Sequence, residues 1–322
     1  MTSADELVSS LAQPAWYTPY AKGVYSVGPG LKRFGHDFGN GPADQRVFQL
    51  DRDFVRYHDN KRAAQGDLAD YFGTCNFTAE MARAVGAFLL CRLTTEYPAL
   101  FAREGDALHC RLTGDTVATN PHPEDFRPTL KLLGMQVQED FCLMSLGPGQ
   151  SWTSLVHVMA PNYWRPGNIL GASYERVHDP VPGMDRLKSK ASRMLDSIAA
   201  GAQYIRFVWG LETDDRLNHH PDLAGNSDRA RAWYLAPPEA RRLFVRIERQ
   251  VLIGLPEVNS LYFGIRTYIR DVDELPVGDR LALAQAVRGM SEAERSYKGL
   301  TGCAKDFIHY LSANQPGVEG EP

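Results

Sequence analysis

Ser260-Leu261-Tyr262-Phe263-Gly264-Ile265-Arg266-Thr267-Tyr268 is a short run of apolar and aromatic residues broken by one glycine and one arginine. Side chains of this kind fit a pleated, half-buried surface, and Asn259 marks a boundary just before the run. The pattern predicts a strand over Ser260–Tyr268. An arginine inside such a strand needs a counter-charge, because a buried and unpaired guanidinium is costly. Glu248 or another structural acid would serve Arg266, and so would a carboxylate brought by a ligand.

Working outward, three more stretches read as strands by the same criteria: Phe141–Leu146, Leu155–Ala160 and Ala202–Trp209. In the last of these, alternation sets Arg206 on the face opposite Ile205, Phe207 and Trp209. Val47–Tyr57 alternates imperfectly and suits a short strand or an ordered connection, while residues 26–46, rich in Gly, Asp and Pro, read as loop. From Thr78 the pattern becomes helical, with Met81, Val85, Phe88, Leu89 and Leu93 at three- and four-residue spacing, Thr78 as cap and Pro98 beyond the end. Pro238–Leu252 reads as a second helix, with Leu243, Ile247 and Val251 on one face, and two more are expected over Val277–Gly289 and Ser291–Tyr297. Strands separated by long segments, without regular strand–helix alternation, predict an α+β fold. The polar tail Ala313–Pro322 reads as disordered.

The bulk composition narrows the function classes. The chain has 322 residues, 43% hydrophobic and 23% charged, with a formal net charge of −4, which is ordinary for a globular protein. A slight acidic excess argues against nucleic acid as a partner, since phosphate binding needs concentrated Lys and Arg. The first residues lack a secretory pattern, and no stretch approaches the roughly 18 apolar residues of a membrane span. A soluble, cytoplasmic protein is expected. The five cysteines, Cys75, Cys91, Cys110, Cys142 and Cys303, are widely spaced with no C-x-x-C pair, which disfavours a disulfide framework, a zinc site or an iron–sulfur cluster in this chain.

Nucleotide and hydrolase motifs are missing: there is no G-x-G-x-x-G after a strand, no Walker loop, no H-E-x-x-H and no G-x-S-x-G. Among the nine histidines, His178 has the most constrained setting. It is followed by Asp179-Pro180-Val181-Pro182, and each proline restricts the residue before it, so the backbone beyond His178 is stiff. His219-His220 looks like part of a solvated loop with Asp214, Asp215 and Arg216, and Asn120-Pro121-His122-Pro123 reads as a rigid turn. Gln138-Glu139-Asp140 precedes a strand; Glu139 either edges a pocket or marks a solvated strand end.

Taken in order, Gln138-Glu139-Asp140, Pro161-Asn162-Tyr163-Trp164-Arg165-Pro166, Val177-His178-Asp179-Pro180-Val181-Pro182, Arg246-Ile247-Glu248-Arg249-Gln250, Leu255-Pro256 and Ile265-Arg266-Thr267-Tyr268 resemble the alpha-subunit family of haem-dependent oxidative N-demethylase. The resemblance spans residues 46–270. It implies a PAS-like antiparallel sheet with flanking helices and helical extensions, holding haem b. A single domain over 46–312 would follow an N-terminal extension over 1–45. It also implies oxidation of an N-methyl group of a small amine by dioxygen, with FMN, a 2Fe-2S centre and NADPH carried by partner reductase subunits.

Carried over by position, the resemblance makes His178 the iron ligand, with Arg266 and Trp164 as further cofactor contacts, and Arg206 and Glu139 as catalytic pocket residues. Two departures stand out: Val208 where the family commonly has Asn before the Trp, and Asn168-Ile169-Leu170-Gly171 in place of a Lys-Leu-Gly-like stretch. The first bears on the pocket, so substrate identity is not carried over. A PAS-like scaffold also serves haem-based gas or redox sensing, and a subunit that has lost its cofactor is a third reading.

Overall fold

The computed structural model describes residues 4–28, 30–67, 71–120, 125–183, 185–223 and 228–313. Helix α1 (Ala4–Ser10) and a two-residue strand β1 (Lys32–Arg33) open the chain, followed by helix α2 (Phe54–Asp67), strand β2 (Phe72–Thr74) and helix α3 (Ala79–Glu96). A small meander, β3 (Phe101–Glu104), β4 (Ala107–Cys110) and β5 (Thr116–Ala118), leads to helix α4 (Arg127–Met135). The hairpin β6 (Asp140–Gly147) and β7 (Gln150–His157) comes next, then the single-turn helix α5 (Tyr174–Val177), helix α6 (Asp185–Ala199) and strand β8 (Gln203–Glu212). Helix α7 (Arg229–Leu235), the long strands β9 (Phe244–Leu255) and β10 (Ser260–Asp271), and helices α8 (Val277–Gly289), α9 (Glu292–Tyr297) and α10 (Ala304–Ser312) complete the described chain.

The main sheet has seven strands in the order β1-β8-β9-β10-β6-β7-β2, every pair antiparallel. The fold is therefore α+β, as the strand pattern predicts, with an antiparallel sheet, as the family resemblance implies. Thr78 caps α3 through a bond from the Met81 amide, and Ser291 caps α9 reciprocally with Glu294. The helix expected over Pro238–Leu252 is a strand instead. Leu243, Ile247 and Val251 recur every four residues, and four is a whole number of both near-helical and two-residue repeats. The intervening Val245 and Arg249 are buried on the same side, which settles the period at two. The expected strand over Leu155–Ala160 is displaced, since β7 ends at His157. Residues 47–53 form an irregular connection that is buried from Val47 to Asp51. The proline turn at 121–124 and the tail from 314 lie outside the described residues.

The two faces of the sheet differ. One face carries Ile205, Phe207, Trp209, Ile247, Val251, Tyr262, Phe141 and Leu155, set in register across five strands. It is covered at one end by α3, α4 and the small meander, and at the other by α7, α8 and α10. The second face carries Tyr204, Arg206, Val208 and Gly210 on β8, Glu248, Gln250 and Leu252 on β9, and Phe263 and Ile265 on β10. Two of its flanks are capped by apolar side chains among the described residues. Leu195 and Ile198 of α6 cover Leu252, Leu261 and Met144, and the loop side chains Trp164, Ile169 and Leu170 cover Cys142, Val156 and Val158. The strip between these flanks is open: Phe263 and Ile265, in the middle strand of the sheet, remain half-exposed. No described helix is long and apolar enough to cross a membrane.

Candidate functional site

The open strip is bordered by His178. Ser173 accepts a hydrogen bond from the Arg176 amide and starts the single turn of α5, and the His178 amide closes it onto the Tyr174 carbonyl at 3.2 Å. The Val181 amide then bonds the His178 carbonyl at 3.0 Å, so the proline-rich segment folds straight back. The His178 ring is fixed twice: Nδ1 bonds the Tyr174 carbonyl oxygen at 2.8 Å, and the ring packs on that of Tyr174 at 4.2 Å. A bond to a carbonyl requires the proton on Nδ1, which leaves the Nε2 lone pair exposed, and Nε2 has no hydrogen-bond partner among the described residues. Burial and the nearby Arg206 charge hold the imidazole below its ordinary pKa, against the Tyr174 carbonyl, which pulls the other way. The neutral form is the one that binds metals.

Arg206 stands on the same face. It has no ion pair among the described residues, and its Nε is buried without a hydrogen-bond partner. Burial lowers its pKa, while Tyr174, Tyr297, Glu248 and Tyr25 act in the opposite sense. A guanidinium in this position has, among the described residues, no carboxylate at the ion-pair distance that burial normally demands.

Trp164 reaches this face from a clamped loop. Tyr163 takes φ 63°, a left-handed conformation that costs a non-glycine residue roughly 1–3 kcal/mol. Its ring stacks on His219 at 4.8 Å, and the Arg229 guanidinium lies 4.2 Å from its centroid. The backbone exchanges bonds with His219, His219 N to Pro161 O at 2.9 Å and Tyr163 N to His219 O at 3.2 Å. Asp214 accepts from His219 Nε2 at 2.9 Å. Burial pushes the Asp214 carboxyl up, yet its bonds from His219 and Arg216 win and hold it well below the usual carboxylate range. His219 and His220 are thus fully buried, a correction to the solvated loop expected from their acidic and basic neighbours.

Beside Trp164 lies a cavity of about 130 Å³, lined by Asn162, Val208, Gly210, Arg229, Arg246, Glu248, Tyr297 and Lys298. Glu248 accepts from Gln250 Nε2 at 3.0 Å and lies 3.4 Å from Arg246 Nε. Sequence reasoning missed Glu248 as a pocket residue because its strand was read as a helix. It also missed Lys298, which follows the short helix α9.

Arg266 and Glu139 are elsewhere. Arg266 projects to the packed face, fully buried, with Nη2 2.6 Å from Asp51 Oδ2 and Nε 3.1 Å from the Gln49 carbonyl. Its guanidinium lies 4.0 Å from the Tyr57 ring centroid. Asp51 is therefore its partner, and no ligand carboxylate is needed. Glu139 is also buried rather than at a pocket edge or a solvated strand end: Oε1 accepts from the Gln49 amide at 2.7 Å. Burial raises its pKa, and the Arg266 charge opposes that. Both residues pin the 47–51 connection to the packed face, across the sheet from His178, Arg206 and Trp164. The sequence-based expectation sets Arg266 at the cofactor and Glu139 in the catalytic pocket; the structure places both in this buried network.

Among the described residues no group of three or more His, Cys, Asp or Glu forms a metal cage; a haem iron needs only one axial protein ligand. A family model described as haem-dependent oxidative N-demethylase, alpha subunit-like, matches residues 41–307. That match takes in the main sheet apart from β1, the His178 turn and the strands bearing Arg206 and Glu248, and the chain belongs to the haem-dependent oxidative N-demethylase alpha subunit-like family.

Proposed function

We propose that this chain is the haem-carrying subunit of an oxidative N-demethylase that oxidises a small amine with dioxygen. Electrons would come from reductase subunits bearing FMN, a 2Fe-2S centre and an NADPH site. The observation that carries this reading is the pairing of an unengaged imidazole Nε2 with an uncompensated guanidinium on the open face of the sheet. We read that sheet, with helices on both faces, as PAS-like, residues 46–312 as one haem-binding domain and residues 1–45 as an extension to it.

The donor set suits haem b. His178 offers one neutral nitrogen, Arg206 a cation for a propionate, and Trp164, Phe263 and Ile265 an apolar surface for a macrocycle. When bound, haem supplies the oxidation by dioxygen, which none of these side chains can perform. The chain's own residues do the rest. The Tyr174 carbonyl fixes the His178 tautomer and ring plane, an outer-shell bond of the kind that orients metal-ligating histidines. Arg206 sets the charge of the pocket as well as meeting the propionate. The flanks formed by α6 and the Trp164 loop narrow the approach of water. Glu248, whose carboxylate is shared with Arg246 and Gln250, would face the amine end of the substrate.

Protein loaded with haem and supplied with NADPH and a reductase should release formaldehyde from an N-methylated amine in step with oxygen uptake. Ligand-dependent haem spectra without turnover on any methylated amine would instead support a gas or redox sensor.

A further inference from the structure

The cavity beside Trp164 has a charge that a simple alkylamine does not match. Arg229 Nη2 lies 2.6 Å from Glu212 Oε1, and this buried pair is neutral as a whole. Arg246 and Glu248, 3.4 Å apart, form a second balanced pair. Lys298 has no ion pair and no side-chain hydrogen bond among the described residues, although it lines the cavity and is half-buried. Among the described residues its ammonium lies over the Tyr25 and Tyr297 rings, each 5.5 Å from Nζ, with no carboxylate at ion-pair distance. Burial holds its pKa down to about 8, with Glu248 acting to raise it. The cavity thus has a surplus positive charge, which repels a bare alkylammonium and attracts an anion. Its volume of about 130 Å³ is close to the roughly 150 Å³ that holds a benzene-sized guest in other proteins, so a molecule of about six heavy atoms fits.

We propose that the substrate of this site is an N-methylated amine that also carries a carboxylate, an N-methyl amino acid, with Lys298 receiving the carboxylate and Glu248 facing the amine. This deepens the demethylase reading and rests on it for the chemistry, but not for binding. One carboxylate source competes for the same lysine, a haem propionate, and the test separates the two.

Calorimetric titration of haem-loaded and haem-free protein with N-methylglycine and with dimethylamine reads the preference directly. N-methylglycine should bind at least tenfold more tightly than dimethylamine, about 1.4 kcal/mol. Lys298→Gln should erase that preference at unchanged haem affinity and melting temperature, and Lys298→Arg should retain it. Equal or tighter binding of dimethylamine overturns the inference. So does a Lys298→Gln variant that loses haem affinity yet keeps the N-methylglycine preference, because its lysine then serves a propionate. Haem uptake without N-methylglycine binding sinks the inference alone; N-methylglycine binding through Lys298 in a chain that takes no haem sinks the demethylase reading alone.

Discussion

Two arginines of one sheet, Arg206 on β8 and Arg266 on β10 with β9 between them, behave in opposite ways, and their pairing explains both. Arg266 is neutralised by Asp51 at 2.6 Å in a fully buried site. Replacing it by Met strands the Asp51 charge, so Arg266→Met is expected to destabilise the protein by roughly 3–5 kcal/mol in urea unfolding. The folded fraction should still bind haem normally. Arg206 has no ion pair among the described residues, so Arg206→Met should leave or raise the melting temperature of haem-free protein while weakening haem binding about tenfold, or about 1.4 kcal/mol. A marked loss of stability in the haem-free Arg206 variant would mean that the arginine is structural. Buried His157 has a further consequence. Its Nε2 bonds the Lys131 carbonyl at 3.2 Å and its ring stacks on Phe141 at 4.8 Å. Burial first, then the Lys61 charge, depress its pKa to about 3. The unfolded chain takes up this proton near its ordinary pKa of about 6.5, whereas the folded one does not, so stability is intact above that pH and lost as pH falls toward 3. Between pH 6.5 and 4 wild type should lose about 1.4 kcal/mol per pH unit more than His157→Gln, measured by urea midpoints. Equal slopes would show that His157 titrates normally.

At the level of elements, the open strip depends on how α6 seats. Gly254 lies on the same face as Leu252, and a Cβ there would run into the Ile198 carbonyl oxygen at the end of α6. Gly254→Ala should therefore shift α6 and cost roughly 1–3 kcal/mol, with haem affinity falling as the flank moves. Unchanged stability and affinity would show that α6 does not set the width of the strip. Elements were legible from sequence where a single period was unambiguous. The capped helix after Thr78 and the strand around Tyr262 have one reading each, α8 ends at Gly289, and α9 starts at its Ser291 cap. Pro238–Leu252 failed because a four-residue spacing satisfies both periods and the decisive buried residues, Val245 and Arg249, include a charge. The amphipathic spacing of Ala191, Leu195 and Ile198 in α6 was present in the sequence and went unread.

For the molecule as a whole, the sequence showed which side of its own strand Arg206 occupies, but not how strands face one another. Arg266 pairs in register with Arg249 and therefore points away from Arg206; strand register is a tertiary property that no local pattern carries. The same holds for Lys298, which a chain reversal brings to Glu248 from fifty residues away. A half-exposed Phe263 and Ile265 at the centre of a sheet is a state that a bound macrocycle would relieve. Haem at about a hundred times its dissociation constant should stabilise the protein by about 2.7 kcal/mol, visible as a rise in melting temperature. The most direct measurement is a titration of wild type and His178→Ala with haemin, followed by absorption in the ferric, dithionite-reduced and carbon monoxide-bound states. Wild type is expected to give a Soret band that shifts at each step, and His178→Ala to lose occupancy or change that spectrum, with added imidazole restoring it. A wild-type protein that stays colourless, or a His178→Ala variant with the same spectrum and occupancy as wild type, would contradict the assignment of His178 as the iron ligand.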